Sequence, residues 1–306
     1  MGDSPESTGQ GDRVAKRILV LGATGMLGHT LFRHLSTQPD LDVYASARES
    51  RGLEDWFPAQ LLDRIHTAVD AGDFDTIIRV LAAVRPQVVV NCIGAIKQQP
   101  AARDPLSAIA INSLLPHRLA QLCAATSARL IHFSTDCVFD GAKGNYSEGD
   151  APTATDLYGM SKYLGEVSTS PHAVTLRTSF IGHELKGRVG LIEWFLAQTG
   201  NVRGFTRAVF TGFPSIEMAN ILAEHVIPNA DLTGVIHVSS QPISKYDLLE
   251  MVALRYGKQI DIEPDDTVLI DRALDSTAFR RITGYVPPPW TVLVERMYDD
   301  YRAFGR

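Results

Sequence analysis

The amino-acid sequence predicts an α/β protein with a Rossmann-type doubly wound parallel sheet and a smaller C-terminal α/β lobe. Three observations predict this fold class. An apolar run at residues 17–22 ends in a glycine-rich turn, short apolar runs then alternate with amphipathic segments to about residue 180, and the pattern becomes irregular beyond that point. Strands that alternate with helices favour a parallel sheet with helices on both faces.

The first half of the chain supplies most of the predicted sheet. Short apolar runs are typical of parallel strands, because such strands are buried on both faces. We predict strands at 17–22, 42–47, 65–69, 87–92, 129–133 and 173–176, and helices at 26–35, 73–84, 106–125 and 158–167. Pro116 interrupts the third of these helices early.

The second half is less regular, with predicted helices at 191–198, 215–225, 245–256 and 292–304 and a strand at 235–238. The first 16 residues are rich in Gly, Ser, Asp and Glu and lack the apolar core of a signal peptide. We therefore expect a disordered tail at 1–16, a Rossmann domain at 17–180 and a C-terminal lobe at 181–306, with some segments of that lobe returning to the main sheet.

Composition excludes several classes of protein. A net charge of -6 argues against broad nucleic-acid binding, and no stretch reaches the ~20 apolar residues that span a bilayer. Cys92, Cys123 and Cys137 are odd in number and form no Cys-x-x-Cys pair, which argues against a disulfide framework or a zinc site. We expect a cytoplasmic protein with neither nucleic acid nor membrane as partner. The sequence contains no cluster of carboxylates that would predict a metal site.

The glycine-rich turn between the first strand and the first helix is the first candidate site. Gly22, Gly25 and Gly28 are spaced Gly-x-x-Gly-x-x-Gly, with Thr24, Met26 and Leu27 between and beside them. Glycines there permit a tight turn, a close approach of pyrophosphate to the backbone, and packing of helix on strand, while the helix N-terminus offers free amides. The pattern predicts dinucleotide binding; the alternative is an ordinary strand–helix turn.

The end of the second strand indicates which dinucleotide is bound. An acid there would accept hydrogen bonds from the ribose of NAD, but the sequence has Ser46, Ala47 and Arg48. Arg48 would pair with the 2′-phosphate of NADP, so we predict NADPH in preference to NADH; the alternative is a solvated arginine. Asp70, ending the third strand, is placed to contact adenine or to cap the next helix.

The second candidate site is a catalytic constellation. Tyr158 and Lys162 are four residues apart on a predicted helix and so share one face. A lysine ammonium beside a tyrosine favours the phenolate and assists proton transfer, and Lys162 would also bond the nicotinamide ribose. Ser134, Thr135 and Asp136 follow a strand, where ligands bind in an open parallel sheet. These features together predict an oxidoreductase, whereas Tyr-x-x-x-Lys alone would also suit a surface pair.

The run from Ser134 to Glu166, STDCVFDGAKGNYSEGDAPTATDLYGMSKYLGE, resembles the dTDP-4-dehydrorhamnose reductase family of extended short-chain dehydrogenases/reductases. That family shows Ser-Thr-Asp-x-Val-Phe-Asp-Gly, then Tyr-Gly-x-Ser-Lys-x-x-Gly-Glu. The glycine turn also fits, as do Leu176-Arg177-Thr178 and Gly212-Phe213-Pro214-Ser215. The similarity begins at about Lys16, is dense in the first half and becomes sparse after Gly182.

The resemblance implies a role for each matching residue. It makes Thr135 the catalytic hydroxyl, Tyr158 the proton donor and Lys162 its partner, with Asp136 contacting substrate or assisting the proton path. It further implies cofactor contacts from Asn91, Gly94 and Ser134, a structural role for Asn112, and a border of the substrate site at Arg177 and Thr178.

The sequence departs from the family where substrate is expected. Cys137 stands where the family has tyrosine, and residues 92–98 replace its usual stretch of small and aromatic residues. Lys97, in that stretch, would bind a sugar-nucleotide phosphate or remain a solvated loop lysine. Trp194 and its neighbour Glu193 would reach the sugar or base; the alternative for Trp194 is packing in the core. The particular sugar is therefore open.

The resemblance implies an NADPH-dependent reductase of a nucleotide-linked 4-keto-6-deoxy sugar, acting in deoxysugar and cell-surface polysaccharide biosynthesis, with a homodimer as a possible assembly. Two alternatives stay open. One is a nucleotide-sugar epimerase or dehydratase that retains bound NAD. The other is a non-catalytic regulatory subunit of the kind that accompanies methionine adenosyltransferase, because a fold does not fix a function.

Overall fold

A computed structural model of the protein describes residues 15–96 and 103–304. Its strands are β1 (Lys16–Leu21), β2 (Leu41–Ser46), β3 (Ile65–His66), β4 (Val88–Asn91), β5 (Arg129–Thr135), β6 (Ala173–Thr178), β7 (Phe180–Ile181), β8 (Asn201–Phe205), β9 (Ala208–Phe210), β10 (Phe213–Pro214), β11 (Gly234–His237), β12 (Ile243–Ser244), β13 (Asp261–Asp265) and β14 (Ile270–Asp271). Its α-helices are α1 (Met26–Leu35), α2 (Ala59–Leu62), α3 (Phe74–Val84), α4 (Pro105–Ala108), α5 (Leu115–Ala125), α6 (Leu157–Leu164), α7 (Leu191–Ala197), α8 (Ser215–Ile221), α9 (Lys245–Tyr256), α10 (Thr277–Thr283) and α11 (Trp290–Ala303).

The main sheet has seven strands in the order β11-β6-β5-β4-β1-β2-β3, and all neighbouring strands are parallel. Strand order runs outward in both directions from β1 and β4, which makes this the switch point of a doubly wound sheet. The predicted fold class is therefore confirmed. The crevice beyond the carboxyl ends of β1 and β4 is where such sheets bind ligands.

The sheet separates two apolar layers. Along β1, Ile18 and Val20 belong to the larger layer, which includes α1, α8 and α11, whereas Leu19 and Leu21 belong to the smaller layer with α3 and α5. All four side chains are fully buried, because helices cover the strand on both faces. This packing explains why the strand is an unbroken apolar run in the sequence.

The second half of the chain forms a smaller lobe from short elements. Its strands pair as β12-β9-β14 and β13-β8, and β10 pairs with β7. Strand β11 belongs instead to the main sheet, where Ile236 lies opposite Leu176 of β6. Most of the strands that the sequence did not predict here are two or three residues long and pair with distant segments, so they leave little periodic pattern.

Several boundaries differ from the prediction. The predicted helix at 106–125 is α4, a π-helical turn at Ile109–Leu114, and α5, with Pro116 in the first turn of α5. A second π-helical segment, Leu222–Val226, continues α8. Strand β5 reaches Thr135, and β1 already includes Lys16, the last residue of the predicted tail. Residues 1–14 of that tail lie outside the described residues. In the described part of the chain, every helix is too short or too polar to cross a membrane.

Candidate active site

The glycine-rich turn joins β1 to α1 at the switch point of the sheet. Gly22 has a φ of +88°, a conformation that favours glycine, and its N–H donates to Ser46 Oγ at 3.2 Å. The N–H of Gly25 donates to Gly22 O at 3.2 Å, and Gly25 begins α1 without any side-chain cap. The first-turn amides of α1 therefore lack a capping side chain, as an anion site at a helix N-terminus requires.

Gly28 lets helix α1 lie directly against the turn. A Cβ built at this position would stand 2.1 Å from Gly22 O and 2.8 Å from Gly22 C. By contrast, a Cβ at Gly25 would meet only Gly22 O, at 3.6 Å, so the space beside Gly25 is open. The turn thus combines close helix–strand packing with an open surface beside the helix N-terminus, as the sequence predicted for dinucleotide binding.

Arg48 and Asp70 lie on the exposed side of this crevice. Arg48 follows β2, and within the described residues it has no hydrogen bond or ion pair. Asp70 Oδ1 accepts from Gly72 N at 2.9 Å, which is a local turn. The cap of α3 is Asp73, whose side chain accepts from Asp75 N. The capping alternative for Asp70 is therefore wrong, and its contact with adenine stays a prediction.

Asn91 and Asn112 organise the end of β4. Asn91 is buried, and its Nδ2 lies 3.1 Å from His132 Nδ1 while its Oδ1 accepts from Ile93 N. Asn112 accepts from Ala95 N at 2.9 Å and donates to Ala95 O at 3.0 Å and to Ser161 Oγ at 3.1 Å. Asn112 therefore ties the segment that follows β4 to the catalytic helix α6. Gly94 lies beside it, since a Cβ there would be 3.6 Å from Asn112 Oδ1.

The hydroxyl of Thr135 lies at the carboxyl end of β5. It accepts from Cys137 N at 3.1 Å and donates to Asp136 Oδ1 at 3.1 Å. Asp136 is buried, and burial raises the pKa of its carboxyl, with the cation of Arg272 acting in the opposite direction. Arg272 Nη1 lies 3.8 Å from Cys137 Sγ. No motif marks Arg272, because contacts between distant segments bring it to this strand end: its Nε donates to Phe139 O at 2.7 Å, and the N–H of Asp271 donates to Gly141 O at 2.8 Å.

Helix α6 presents Tyr158 to Thr135. The helix begins at Leu157 with Asp156 as its cap, whose Oδ1 accepts from Gly159 N at 2.9 Å. A Cβ at Gly159 would stand 2.3 Å from Cys137 O, so glycine lets the helix pack against the end of β5. Burial raises the pKa of Tyr158, and its hydrogen bond with Thr135 opposes that rise only in part. The sequence-based expectation of a tyrosine shifted towards phenolate is thus wrong, since burial dominates.

Lys162 lies one helical turn after Tyr158. It is 7% exposed, and its Nζ donates to Phe133 O at 2.6 Å. Burial lowers the pKa of Lys162 to about 8, and the carboxylate of Glu166 opposes this effect. The structure therefore brings together Thr135, Tyr158 and Lys162, while Ser134, between Phe133 and Thr135, points its hydroxyl to Glu166.

The predicted substrate contacts have different outcomes. Arg177 is 4% exposed and donates to Glu166 through Nε and Nη2, at 2.7 Å each. The predicted contact of Arg177 with substrate is therefore wrong, because its side chain is held in a buried ion pair behind the site. Trp194 is 38% exposed on α7, so the alternative of core packing is wrong and its contact with substrate stays a prediction. Cys137 is half-buried beside Thr135. Lys97 lies outside the described residues.

Two further features were not predicted from the sequence. Lys186 Nζ lies 4.5 Å from the ring centroid of Trp56, so the loop after β7 reaches the segment that carries Arg48. The same loop packs on the glycine-rich turn, because a Cβ at Gly190 would be 2.9 Å from Met26 Cε. Local patterns could not show either contact. In the described residues no group of three or more His, Cys, Asp or Glu side chains could hold a metal ion.

A glycine-rich turn, a strand-end hydroxyl and a Tyr-x-x-x-Lys helix on a doubly wound sheet define an oxidoreductase of the extended short-chain dehydrogenase/reductase class. The chain belongs to the RmlD substrate binding domain family, whose sequence profile matches residues 16–303. The resemblance found in the sequence is thereby confirmed.

Relatives of known name include two reductases and a subunit of methionine adenosyltransferase. The chain is 32% identical over 232 residues to the probable low-salt glycan biosynthesis reductase Agl14 of Haloferax volcanii, covering 72% of this chain and 74% of that protein. It is 26% identical to the dTDP-4-dehydrorhamnose reductase of Aggregatibacter actinomycetemcomitans, covering 94% and 99%. It is also 27% identical to methionine adenosyltransferase 2 subunit beta of Danio rerio, covering 78% and 73%.

Solved structures share the fold. The dTDP-4-dehydrorhamnose reductase of Bacillus anthracis, solved in complex with NADP, superimposes with a TM-score of 0.75 at 20% identity, covering 94% of this chain and all of that one. The UDP-glucose 4-epimerase of Thermus thermophilus, solved with NAD, gives a TM-score of 0.71 at 20% identity and covers 94% and 99%. One architecture thus carries both reductases and epimerases, so the choice between them depends on the site.

Proposed function

We propose that this protein is an NADPH-dependent reductase of a nucleotide-linked 4-keto-6-deoxy sugar, in the manner of dTDP-4-dehydrorhamnose reductase, and that it works in deoxysugar biosynthesis. The observation that carries the proposal is the placement of Tyr158 beside Thr135 at the carboxyl end of β5, with Lys162 one turn away and bonded to Phe133 O of the same strand. The reductases among the named relatives support it. A cytoplasmic location fits three cysteines of which none forms a disulfide.

The residues present fit a dinucleotide. The open face of Gly25 and the amides at the start of α1 would hold the pyrophosphate, and Arg48 would meet a 2′-phosphate where an NAD enzyme would have an acid. The bound nicotinamide would supply the hydride. Asp70 and the strand ends at Asn91 and Gly94 would border the adenine and nicotinamide parts of the same crevice.

The catalytic residues would handle the proton and the carbonyl oxygen. Burial raises the pKa of Tyr158 further above neutrality, so its hydroxyl keeps its proton until hydride transfer creates an alkoxide, and the alkoxide is a base strong enough to take that proton. Thr135 would hold the same oxygen by a hydrogen bond. The ammonium of Lys162 would support the negative charge that Tyr158 acquires when its proton leaves. Asp136, whose pKa is raised by burial, accepts a hydrogen bond from the hydroxyl of Thr135 at 3.1 Å.

The experiment that tests the proposal is NADPH consumption, followed by absorbance, with a panel of dTDP-, UDP- and GDP-linked 4-keto-6-deoxy sugars. We expect consumption with one nucleotide series. No consumption with any of them, by protein that binds NADPH, would contradict the proposed function.

We expect reduction to weaken at alkaline pH. Lys162 has a pKa of about 8, so its ammonium is present below that pH and is lost above it. The rate constant kcat/KM should be level below pH 8 and then fall about tenfold per pH unit, because it depends on one protonated group of the free enzyme. Tyr158 does not explain this fall of kcat/KM at high pH, which we call the alkaline limb, since the pKa of Tyr158 is raised above its ordinary value. A kcat/KM that stays level to pH 10 would contradict this role of Lys162. The variant Lys162→Met should keep only a slow rate, and its pH profile should lack the alkaline limb.

We expect Arg48→Ala to weaken the preference for NADPH. Loss of a charge-assisted hydrogen bond to the 2′-phosphate should raise KM for NADPH about tenfold and leave KM for NADH unchanged. Steady-state kinetics with both cofactors measures this. The matched control is Arg302→Ala, because Arg302 is also an exposed arginine but lies on α11, away from β2. Equal changes for the two cofactors would show that Arg48 does not contact the phosphate.

A second candidate function is a regulatory subunit, because the chain also matches methionine adenosyltransferase 2 subunit beta. Stable co-purification with a partner enzyme, together with no turnover of any keto-sugar, would favour it. An epimerase or dehydratase would instead retain NAD through purification, which the arginine at the end of β2 argues against.

A further inference from the structure

Glu166 lies just beyond the end of α6, four residues after Lys162, and is 8% exposed. Its carboxylate is fully engaged. Oε1 accepts from Ser134 Oγ at 2.7 Å and from Arg177 Nε at 2.7 Å, and Oε2 accepts from Arg177 Nη2 at 2.7 Å. The fork of Arg177 thus binds it through two parallel hydrogen bonds, which is the geometry of a strong ion pair.

Ser134 gives this ion pair its connection to the reaction. It stands between Phe133, whose carbonyl accepts from Lys162 Nζ, and Thr135, whose side chain lies beside Tyr158. The side chain of Ser134 has one described partner, the carboxylate of Glu166. In addition to the backbone pairing of Ser134 with Arg177 of β6, this hydrogen bond therefore holds the strand residue whose two neighbours contact the two catalytic groups of α6.

Arg177 anchors the carboxylate to the rest of the sheet. Its Nη1 lies 3.2 Å from Nε2 of His237, on the neighbouring strand β11, and its guanidinium lies 5.3 Å from the ring centroid of Phe139. The backbone N–H of His237 donates to Glu148 Oε1 at 2.9 Å. A buried charge pair is stable only when its remaining donors and acceptors are satisfied, and these contacts do so.

We propose that Glu166 is a positioning residue for the reduction: through Ser134 it aligns Phe133 O and Thr135 with Lys162 and Tyr158, and its carboxylate supports the positive charge of Lys162. This inference rests on the proposed function. It goes beyond it, because neither Glu166 nor Ser134 needs to touch substrate in order to act.

The charge of Lys162 depends on the titratable groups that face it. Glu166 is the group that opposes the lowering of the lysine pKa by burial. The pKa of His132, the neighbouring group on β5, is lowered well below its usual value by burial and by Lys162, so this ring is neutral. Other titratable groups around Lys162 and Glu166 are Tyr158 on the same helix, Asp136 at the end of β5, His117 on α5, Arg177 on β6 and His237 on β11.

Three variants separate positioning from charge. Glu166→Gln keeps the shape and removes the charge, so we expect kcat to fall and the alkaline limb to move down by about one pH unit. Ser134→Ala removes the side-chain hydrogen bond from Glu166 to β5 but leaves the ion pair with Arg177, so kcat should fall at every pH with the alkaline limb in its wild-type place. Glu250→Gln removes the charge of an exposed side chain on α9 and should change neither kcat nor the position of the alkaline limb. KM for the keto-sugar should stay near the wild-type value throughout.

A wild-type limb in folded Glu166→Gln, or an unchanged kcat in Ser134→Ala, would overturn the proposal. If Glu166→Gln does not fold, Ser134→Ala still decides the positioning part. A measurement that does not require turnover distinguishes a failure of this inference from a failure of the proposed function. Titration of Lys162 by NMR of ¹⁵N-lysine protein, assigned with Lys162→Met, should show a lower pKa in Glu166→Gln even if no keto-sugar is reduced by the wild type. An unchanged lysine pKa would overturn the electrostatic part.

Discussion

Tyr158→Phe is expected to fold normally and to lose about 10²–10⁴-fold in kcat, the usual contribution of a positioned proton donor. The substitution removes one hydroxyl and leaves the ring in place. Thr135 keeps its bonds to Asp136 and to the N–H of Cys137, so the strand end should hold its shape. Turnover is measured as NADPH consumption with the keto-sugar that the wild-type protein accepts, and folding by thermal unfolding and NADPH binding.

The matched control for this change lies on the same helix. Tyr163 is 45% exposed and takes no part in the site, so Tyr163→Phe should keep wild-type turnover. If Tyr158→Phe turned over at a near-normal rate with intact NADPH binding, another group would have to donate the proton, and the assignment of the catalytic tyrosine would be wrong.

Gly28→Ala is expected to destabilise the protein and to abolish tight NADPH binding. Its Cβ would stand 2.1 Å from the carbonyl oxygen of Gly22, and a backbone oxygen cannot swing aside as a flexible side chain can. Helix α1 must therefore move away from β1, at a cost of about 1–3 kcal/mol in the free energy of unfolding. The same movement withdraws the helix amides from the pyrophosphate. Denaturant unfolding and fluorescence titration with NADPH measure the two effects.

Gly149→Ala is the control for this experiment. A Cβ at Gly149 meets nothing closer than Ser147 Oγ at 3.8 Å, and its φ is not positive. We expect wild-type stability and NADPH affinity from this variant. Wild-type affinity in Gly28→Ala would show that the glycine-rich turn is only a structural connection, which was the alternative to dinucleotide binding.

Much of the fold could be predicted because its signals are local. Helix α1 at 26–35 and helix α9 at 245–256 have the bounds that the sequence predicted, since each begins and ends with a clear change in pattern. The strands of the main sheet are buried on both faces and so stand out as apolar runs. The glycine-rich turn and the Tyr-x-x-x-Lys spacing are equally local, and these motifs located the candidate site.

The rest of the site depends on contacts between distant segments. The family resemblance implied that Arg177 borders the substrate site, yet its guanidinium is buried in an ion pair with Glu166. Arg272 reaches Cys137 through contacts of its own segment with residues 139 and 141, about 130 positions earlier in the chain. The raised pKa of Tyr158 comes from burial, which spacing along the chain does not reveal. Such features require knowledge of which segments pack together.

Strand β11 has a consequence for how the molecule can move and how it can be divided. It comes from the second half of the chain but completes the main sheet, pairing with β6 from Gly234 to His237. A cut after residue 180 would leave β6 as a bare edge strand, open to pairing with other chains. The two halves are thus joined by the backbone hydrogen bonds between β11 and β6, and a movement that separated the halves at residue 180 would have to break those bonds.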